Sequence, residues 1–292
     1  MNAVRTNRDR LVRLAVQGEV SHPDVWSRSY DVGYDGVPRL LPGTGGIVYN
    51  VRVGDPAFGW AAEHVEPGVS LRAKEKDDNL GLNTFACVGN EAVVLSGEAK
   101  GKKGVVTGKH GGIEHVLVDF PPEVLEQLAV GDKVLVRAWG QGLEIEGFPG
   151  VKVMNLDPDL FDRLGVQVEA GRLVVPVAAV VPAELMGSGI GALTSARGDY
   201  DITTQDRALI RELGLENLRL GDLVAIRDRA GLYGHQYRRG AVEIGVVIHG
   251  DSFVSGHGPG VTTLMTALEG EIVPRVTPAA NIAYYLGLRQ PG

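Results

Sequence analysis

Glycine and proline set the first limit on what this chain can fold into. There are 41 glycines and 15 prolines among 292 residues, about one position in five against a usual combined share of roughly 12%. Glycine loses the most backbone freedom in a helix, and proline removes a donor and clashes with the preceding turn. Long uninterrupted helices are thereby excluded. Hydrophobic residues make up 44% of the chain and charged ones 22%, so a real core can still be buried, and disorder, a coiled coil or a collagen-like rod is excluded.

Read in order, the chain changes character twice. Residues 4–17 place Val4, Leu11, Val12 and Leu14 near one face with arginines opposite, which predicts a short amphipathic helix. Residues 33–70 are dense in Gly, Pro and aromatics, with one strand at Ile47–Val53, and read as an ordered loop region anchored by Trp26, Phe58 and Trp60. From 84 to 154, short β-branched runs at Ala92–Leu95, Lys103–Gly108, His115–Phe120, Lys133–Trp139, Leu143–Glu146 and Val151–Met154 alternate with glycine turns. That spacing predicts a small antiparallel barrel with one helical excursion at Pro122–Val130. After Asn155, helix signals appear at Asp157-Pro158, at a Thr203-x-x-Asp206 capping box and at Thr277-Pro278, between strands at Leu173–Val180, Leu223–Asp228 and Ala241–His249. The expected architecture is α+β and β-rich: residues 1–83 packing on the rest, a barrel at 84–154, and an α+β domain at 155–292.

Charge and cysteine content narrow the function classes. A net charge of −7 offers no global field for a polyanion. The lysine-rich stretch with Lys100, Lys102, Lys103 and Lys109 is offset by neighbouring acidic residues, and no aromatic platform interleaves it, so nucleic acid is not the expected partner. Cys87 is the single cysteine; it allows no internal disulfide and, in an apolar run, reads as a buried structural thiol in a reducing cytoplasm. The longest apolar stretch, Leu173–Ala183, is broken by Pro176 and Pro182, too short for a spanning helix.

The chemistry-bearing residues fall in four places. Gly245 through Thr263 holds a buried strand that delivers His249 and Asp251, followed by His257 in a glycine-rich loop. Imidazoles and a carboxylate at the end of a rigid strand suit general-base work or metal ligation, and the amides of Gly256, Gly258 and Gly260 could form an anion nest. Asp199 and Asp201, two apart, share a face at strand periodicity. A divalent cation or a shared proton would satisfy the pair; alternatively Asp201 bonds turn amides and Asp199 is solvated. His110, beside Gly111 and Gly112, could reach an anionic small molecule or be a loop tip. Glu63, His64 and Glu66 surround an apolar anchor, where a turn with His64 on a backbone carbonyl is expected over metal ligation. Asp228, Tyr233, His235 and Tyr237 read as an ordinary loop.

Four runs together are diagnostic: Phe58-Gly-Trp…His64-Val-Glu-Pro-Gly-Val-Ser70, Ala99-Lys-Gly…Val-Thr-Gly-Lys-His-Gly-Gly112, Gly187-Ser-Gly-Ile-Gly191 with Asp199-Tyr-Asp-Ile202, and His249…Gly256-His-Gly-Pro-Gly-Val-Thr262. They resemble the bacterial and archaeal domain-of-unknown-function family 4438 across nearly the full chain. The resemblance implies an SH3-like or elongation-factor-like barrel joined to an unusual α+β domain, and it carries no established activity or catalytic residue. The expectation is a small-molecule enzyme, a metal-assisted hydrolase or lyase acting on a carboxylate- or amide-containing metabolite. His249, Asp251 and His257 would do the catalysis, Asp199, Asp201 and His249 would hold a divalent metal, and Gly256, Gly258, Gly260 and His110 would bind substrate. The alternatives are a module binding RNA or protein through the barrel, and a homo-oligomeric scaffold with glycine-loop contacts.

Overall fold

The computed structural model of the protein describes residues 4–25 and 30–290; Trp26, expected as an anchor, lies outside them. Six antiparallel strands close into a barrel in the order Leu14–Val20, Lys133–Ala138, Glu91–Val94, Lys103–His110, His115–Asp119 and Gly68–Arg72. The last returns to the first through the pairs Glu19↔Arg72 and Val20↔Leu71. Closure leaves no free edge, and the period-2 pleat sends alternate residues inward. Val134, Val136 and Ala138 are buried while Lys133 and Arg137 face out, and Val20, Leu71, Val94, Val106, Val118 and Phe120 join them in one apolar core.

The expected N-terminal helix is not formed. Arg8–Arg10 is a single 3-10 turn and Leu14–Val20 is a barrel strand, because six backbone pairings with Lys133–Ala138 outweigh a weak helical periodicity. The barrel thus takes strands from upstream of residue 84. At the other end, Leu143–Glu146 forms no strand, only an isolated bridge from Ile145 to Thr6, and Val151–Val153 belongs to a second sheet.

That second sheet runs Val151–Val153, Gly260–Ala267, Gln236–Val247, Leu223–Ala230 and Ala179–Val181, with Tyr200–Asp201 added to Gly260–Ala267. A third, of Gln167–Glu169, Arg172–Val177 and Ile272–Val276, is paired separately and packs into the same apolar core as the second. Gly260–Ala267 is buried at every position, as a strand covered on both faces must be. Helix Pro158–Arg163 starts where expected, with the Asp157 carboxylate accepting from the amides of Asp159 and Leu160. Two other starts move. Asp206, not Thr203, caps Arg207–Glu212, because the Thr203 hydroxyl donates to the Leu185 carbonyl. The last helix is Ile282–Tyr285, capped by Asn281. Among the described residues no helix is long and apolar enough to cross a membrane.

Barrel and second sheet meet along a seam. The Lys109 amide donates to Thr262 Oγ1 at 3.2 Å, and that hydroxyl donates back to the Lys109 carbonyl at 3.0 Å. A Cβ on Gly108 would lie 2.4 Å from the Ile248 side chain, so the barrel strand's backbone packs directly on the residue that follows Gln236–Val247.

Candidate metal centre

Three parts of the chain deliver histidines to this seam. The hairpin Lys103–His110/His115–Asp119 sets His110 directly opposite His115. The strand Gln236–Val247 ends two residues before His249, and Gln205 Nε2 holds the following loop through the carbonyls of Val254 and His257. His64 sits in a loop at φ 48°, a left-handed conformation unusual for a residue with a side chain and frequent where a site dictates the backbone. The ring centroids lie 4.3 Å apart for His110 and His249, 5.0 Å for His64 and His249, and 4.9 Å for His64 and His257.

The second nitrogens decide which atoms face inward. His249 Nδ1 donates to the Gly250 carbonyl at 2.9 Å. His110 Nδ1 lies 2.5 Å from Glu66 Oε1, and His64 Nδ1 lies 3.1 Å from Glu63 Oε1. The His249 and His110 rings, whose Nδ1–H is engaged by a carbonyl and a carboxylate, present Nε2 as a lone pair, the arrangement that orients metal-ligating histidines; His64 Nδ1 and Glu63 Oε1 are close but not aligned for a hydrogen bond. Glu66 is the hub of this support: it also receives His115 Nδ1 at 3.0 Å, the Ser70 hydroxyl at 2.5 Å and the Gly45 amide at 2.6 Å. Burial opposes its charge, but His115 and His110 hold its carboxyl well below the usual range.

Asp199 and Asp201 enter on the short strand beside Gly260 and Val261, on one face as their spacing requires. Neither is solvated; their side chains are 4% and 6% exposed. Asp199 Oδ1 accepts from the Gly111 amide at 2.7 Å, which leaves Oδ2 directed at His249 Nε2, 3.0 Å away. Asp201 Oδ2 lies 3.0 Å from His257 Nδ1 and 3.6 Å from His64 Nε2, and Oδ1 lies 3.6 Å from His249 Nε2. His64 Nε2 and His257 Nδ1 are 3.0 Å apart. Two atoms bound to one ion at about 2.1 Å sit about 3.0 Å apart at right angles and about 3.4 Å apart at the tetrahedral angle. His64, Asp201 and His249, and likewise His110, Asp199 and His249, meet the condition for a shared ion. His249 Nε2 faces the carboxylates of both sets, so an ion held by either would draw on it.

His249 Nε2 and Asp199 Oδ2 are buried and, despite their separation, make no hydrogen bond. A lone pair and a carboxylate left facing each other in the interior require a positive charge between them. A proton can supply it: burial opposes charging His249, but Asp199 and Asp201 raise its imidazole well above the ordinary value. A divalent ion would supply it too, with the carboxylate and imidazoles of either set as its ligands. Gly260 makes the approach sterically possible, since a Cβ there would lie 1.9 Å from Asp199 Oδ2 and 2.2 Å from His249 Nε2.

A cleft of about 490 Å³ opens onto the centre, lined by His64, His110, Asp199, Asp201 and His257 on one side and by Gly111, Ser188, Thr194 and Arg197 on another. The side chain of His257 is 32% exposed, against 7% or less for His64, His110 and His249.

The structure thus unites His249, His257, Asp199, Asp201 and His110, and it adds His64. It corrects three expectations. Asp251 does not line the cleft; its carboxylate accepts from Thr204 Oγ1 at 2.5 Å and pairs with Arg207 at 2.7 Å. The loop amides form no nest for a ligand, because Gly256 donates to Gln205, Gly258 to Asp201 and Gly260 lies against His249 Nδ1. Lys109 is no surface cation: it is fully buried. Cys87 is the inert thiol expected, pushed up to about 11 by burial. One residue of the support, His115, escaped sequence reasoning, although a signal was present. His110-Gly-Gly-Ile-Glu-His115 is a short glycine turn that must place the two histidines across from each other.

A family whose function is undefined has this chain as a member. The chain belongs to the domain-of-unknown-function family DUF4438, whose N-terminal model matches residues 30–162 and whose C-terminal model matches residues 163–286. The crystal structure of TM1086 is similar to it, with 53% sequence identity and a TM-score of 0.94 over 97% of this chain and 99% of that one. No curated protein matches the chain.

Proposed function

We propose that the protein is a metal-assisted hydrolase that cleaves an amide bond in a small polar metabolite. The observation that carries this reading is the unpartnered buried pair of His249 Nε2 and Asp199 Oδ2, ringed by Asp201, His64 and His110. The mixed imidazole and carboxylate set suits a divalent transition ion such as Zn²⁺, Mn²⁺, Fe²⁺ or Ni²⁺ over Ca²⁺ or Mg²⁺, which favour all-oxygen ligands. Such an ion acts as a Lewis acid toward a carbonyl and makes water a better nucleophile near neutral pH. His257, at the cleft surface and within reach of Asp201, is placed to take a proton from that water and return it to the leaving amine. Buried Lys109 and the pairing of Lys103 with Glu91 at 2.7 Å remove two of the cations an RNA-binding barrel would present.

The test is elemental analysis and Zn²⁺ titration calorimetry on the wild type, His249→Ala and Asp199→Asn. About one ion per chain in the wild type, lost in both variants while the far-ultraviolet circular dichroism is unchanged, supports the centre. A wild type that takes up no transition ion after dialysis against Zn²⁺, Mn²⁺, Fe²⁺ and Ni²⁺ overturns it.

A further inference from the structure

The cleft has a second chemical pole. Arg197 lines it and is the one lysine or arginine among its described lining residues. Its guanidinium makes no hydrogen bond or ion pair with any described residue, and Glu114, the other charged residue on that wall, forms no pair with it. Half-buried arginines in folded proteins usually find an acceptor, since five fixed donors are costly to leave idle.

The backbone around Arg197, in contrast, is pinned at three successive places. The Ser195 carbonyl accepts from Asn155 Nδ2 at 2.7 Å, the Ala196 carbonyl from Lys109 Nζ at 3.0 Å, and the Gly198 carbonyl from Thr262 Oγ1 at 3.3 Å. Gly198 also rests on Gly111, where a Cβ would come 2.8 Å from the Gly111 Cα. A rigid loop that carries an idle guanidinium is the form of a preorganised binding residue, because the cost of ordering the backbone is met before a ligand arrives. Lys109 reinforces the polarity. Its buried ammonium donates to Asn155 Oδ1 at 2.8 Å and to backbone carbonyls, and it has no carboxylate partner. Arg197 is therefore the cationic group of the cleft lining, and the buried Lys109 ammonium bonded to the neighbouring Ala196 carbonyl leaves the loop with no local carboxylate to neutralise it.

We infer that Arg197 is the substrate-anchoring residue, and that it receives an oxyanion, a carboxylate or a phosphate, carried on the molecule whose reacting bond lies at the metal centre. The inference rests on the hydrolase reading for the position of that bond, though anion capture itself does not require the metal. The fork of the guanidinium matches two oxygens at once, which fixes the orientation of the ligand as well as its charge.

The experiment is titration calorimetry of the metal-equilibrated protein with succinate and, separately, inorganic phosphate, on the wild type, Arg197→Ala and Arg197→Lys, with metal content and Tm measured on the same samples. Binding of at least one anion that weakens tenfold or more in Arg197→Ala and less in Arg197→Lys supports the anchor, and the stronger of the two anions identifies the class. Arg197 touches no candidate ligand, so metal content and Tm should match the wild type in both variants. Wild-type protein that binds neither anion, or Arg197→Ala that binds as tightly as the wild type, overturns the inference whatever the metal content. A protein without metal whose anion binding still depends on Arg197 overturns the hydrolase reading alone.

Discussion

Glu243 offers a test whose size can be worked out in advance. It is fully buried behind the candidate centre, with the Tyr200 hydroxyl beside it, the Thr263 hydroxyl donating to Oε1, and His235 Nδ1 3.8 Å away. Burial raises its carboxyl from the ordinary 4.5 to about 7, and burial lowers His235 from 6.5 to about 4. Between those values both groups are neutral, so their proximity is not an ion pair. The carboxyl holds its proton more tightly in the folded protein than in the unfolded chain. Its stabilising contribution is therefore fully present below about pH 4.5 and is lost as pH rises through about 7. At about 1.4 kcal/mol per pH unit, the loss approaches about 3 kcal/mol. A chain of this size unfolds with an entropy of about 0.6 kcal/mol/K, which converts the loss to about 5 °C in Tm.

The variant is Glu243→Gln, which keeps the shape and an acceptor for Thr263 but cannot ionise. Tm of both proteins is followed by differential scanning calorimetry from pH 5 to pH 8.5 at one fixed metal concentration. Asp222, whose carboxyl burial raises to about 6, is common to both proteins and cancels in the difference. The wild type should fall relative to the variant by about 4 °C across the range, most steeply between about pH 5 and pH 6.5 and levelling off above about pH 7. A difference that is flat with pH would refute the assignment of a protonated, buried Glu243.

Two further outcomes probe the centre through residues that are not themselves ligands. Gly260→Ala should abolish transition-ion uptake by elemental analysis and lower Tm by about 2–5 °C, the range expected of about 1–3 kcal/mol of overpacking, because the added methyl enters the space between Asp199 and His249. Glu66→Gln should weaken Zn²⁺ affinity by about 10–100-fold in calorimetry while leaving one ion per chain, since it loosens His110 without removing a ligand; unchanged affinity would deny Glu66 an orienting role.

What the sequence made legible follows from how local each signal is. The strands at 91–94, 103–110, 115–119 and 133–138 were found from alternation and glycine turns, both properties of a few neighbouring residues. Leu14–Val20 was misread because its strand state is set by Lys133–Ala138, more than a hundred residues away. The same distance explains the sites. Asp199, Asp201, His249 and His257 were legible because each pair is close in sequence and near glycines. His64 was read as a turn residue because Glu63 and Glu66 look like ordinary polar neighbours until the fold places His110 and His115 against Glu66.

Tyr200 shows why this seam can hold opposed chemistries. On a strand, neighbouring side chains point to opposite faces, so the segment from Asp199 to Asp201 sends two carboxylates toward the histidines and one phenol the other way, where its ring lies 3.8 Å from that of His235. On the first face burial is overcome by the surrounding imidazoles, and Asp201 is held well below the usual carboxylate range. On the second the hydroxyls of Thr263 and Tyr200 and the charge of Arg229 are outweighed by burial, and Glu243 retains its proton to about pH 7. Two similar carboxyl groups a few residues' width apart thus differ in charge at neutral pH because one faces histidines and the other faces hydroxyls. Ionising Glu243 adds a buried negative charge on the far side of this strand from the centre, and its attraction for a cation there should rise. Raising pH from 6 to 8.5 should therefore raise Zn²⁺ affinity in the wild type relative to Glu243→Gln, and parallel affinities would show that the two faces act independently.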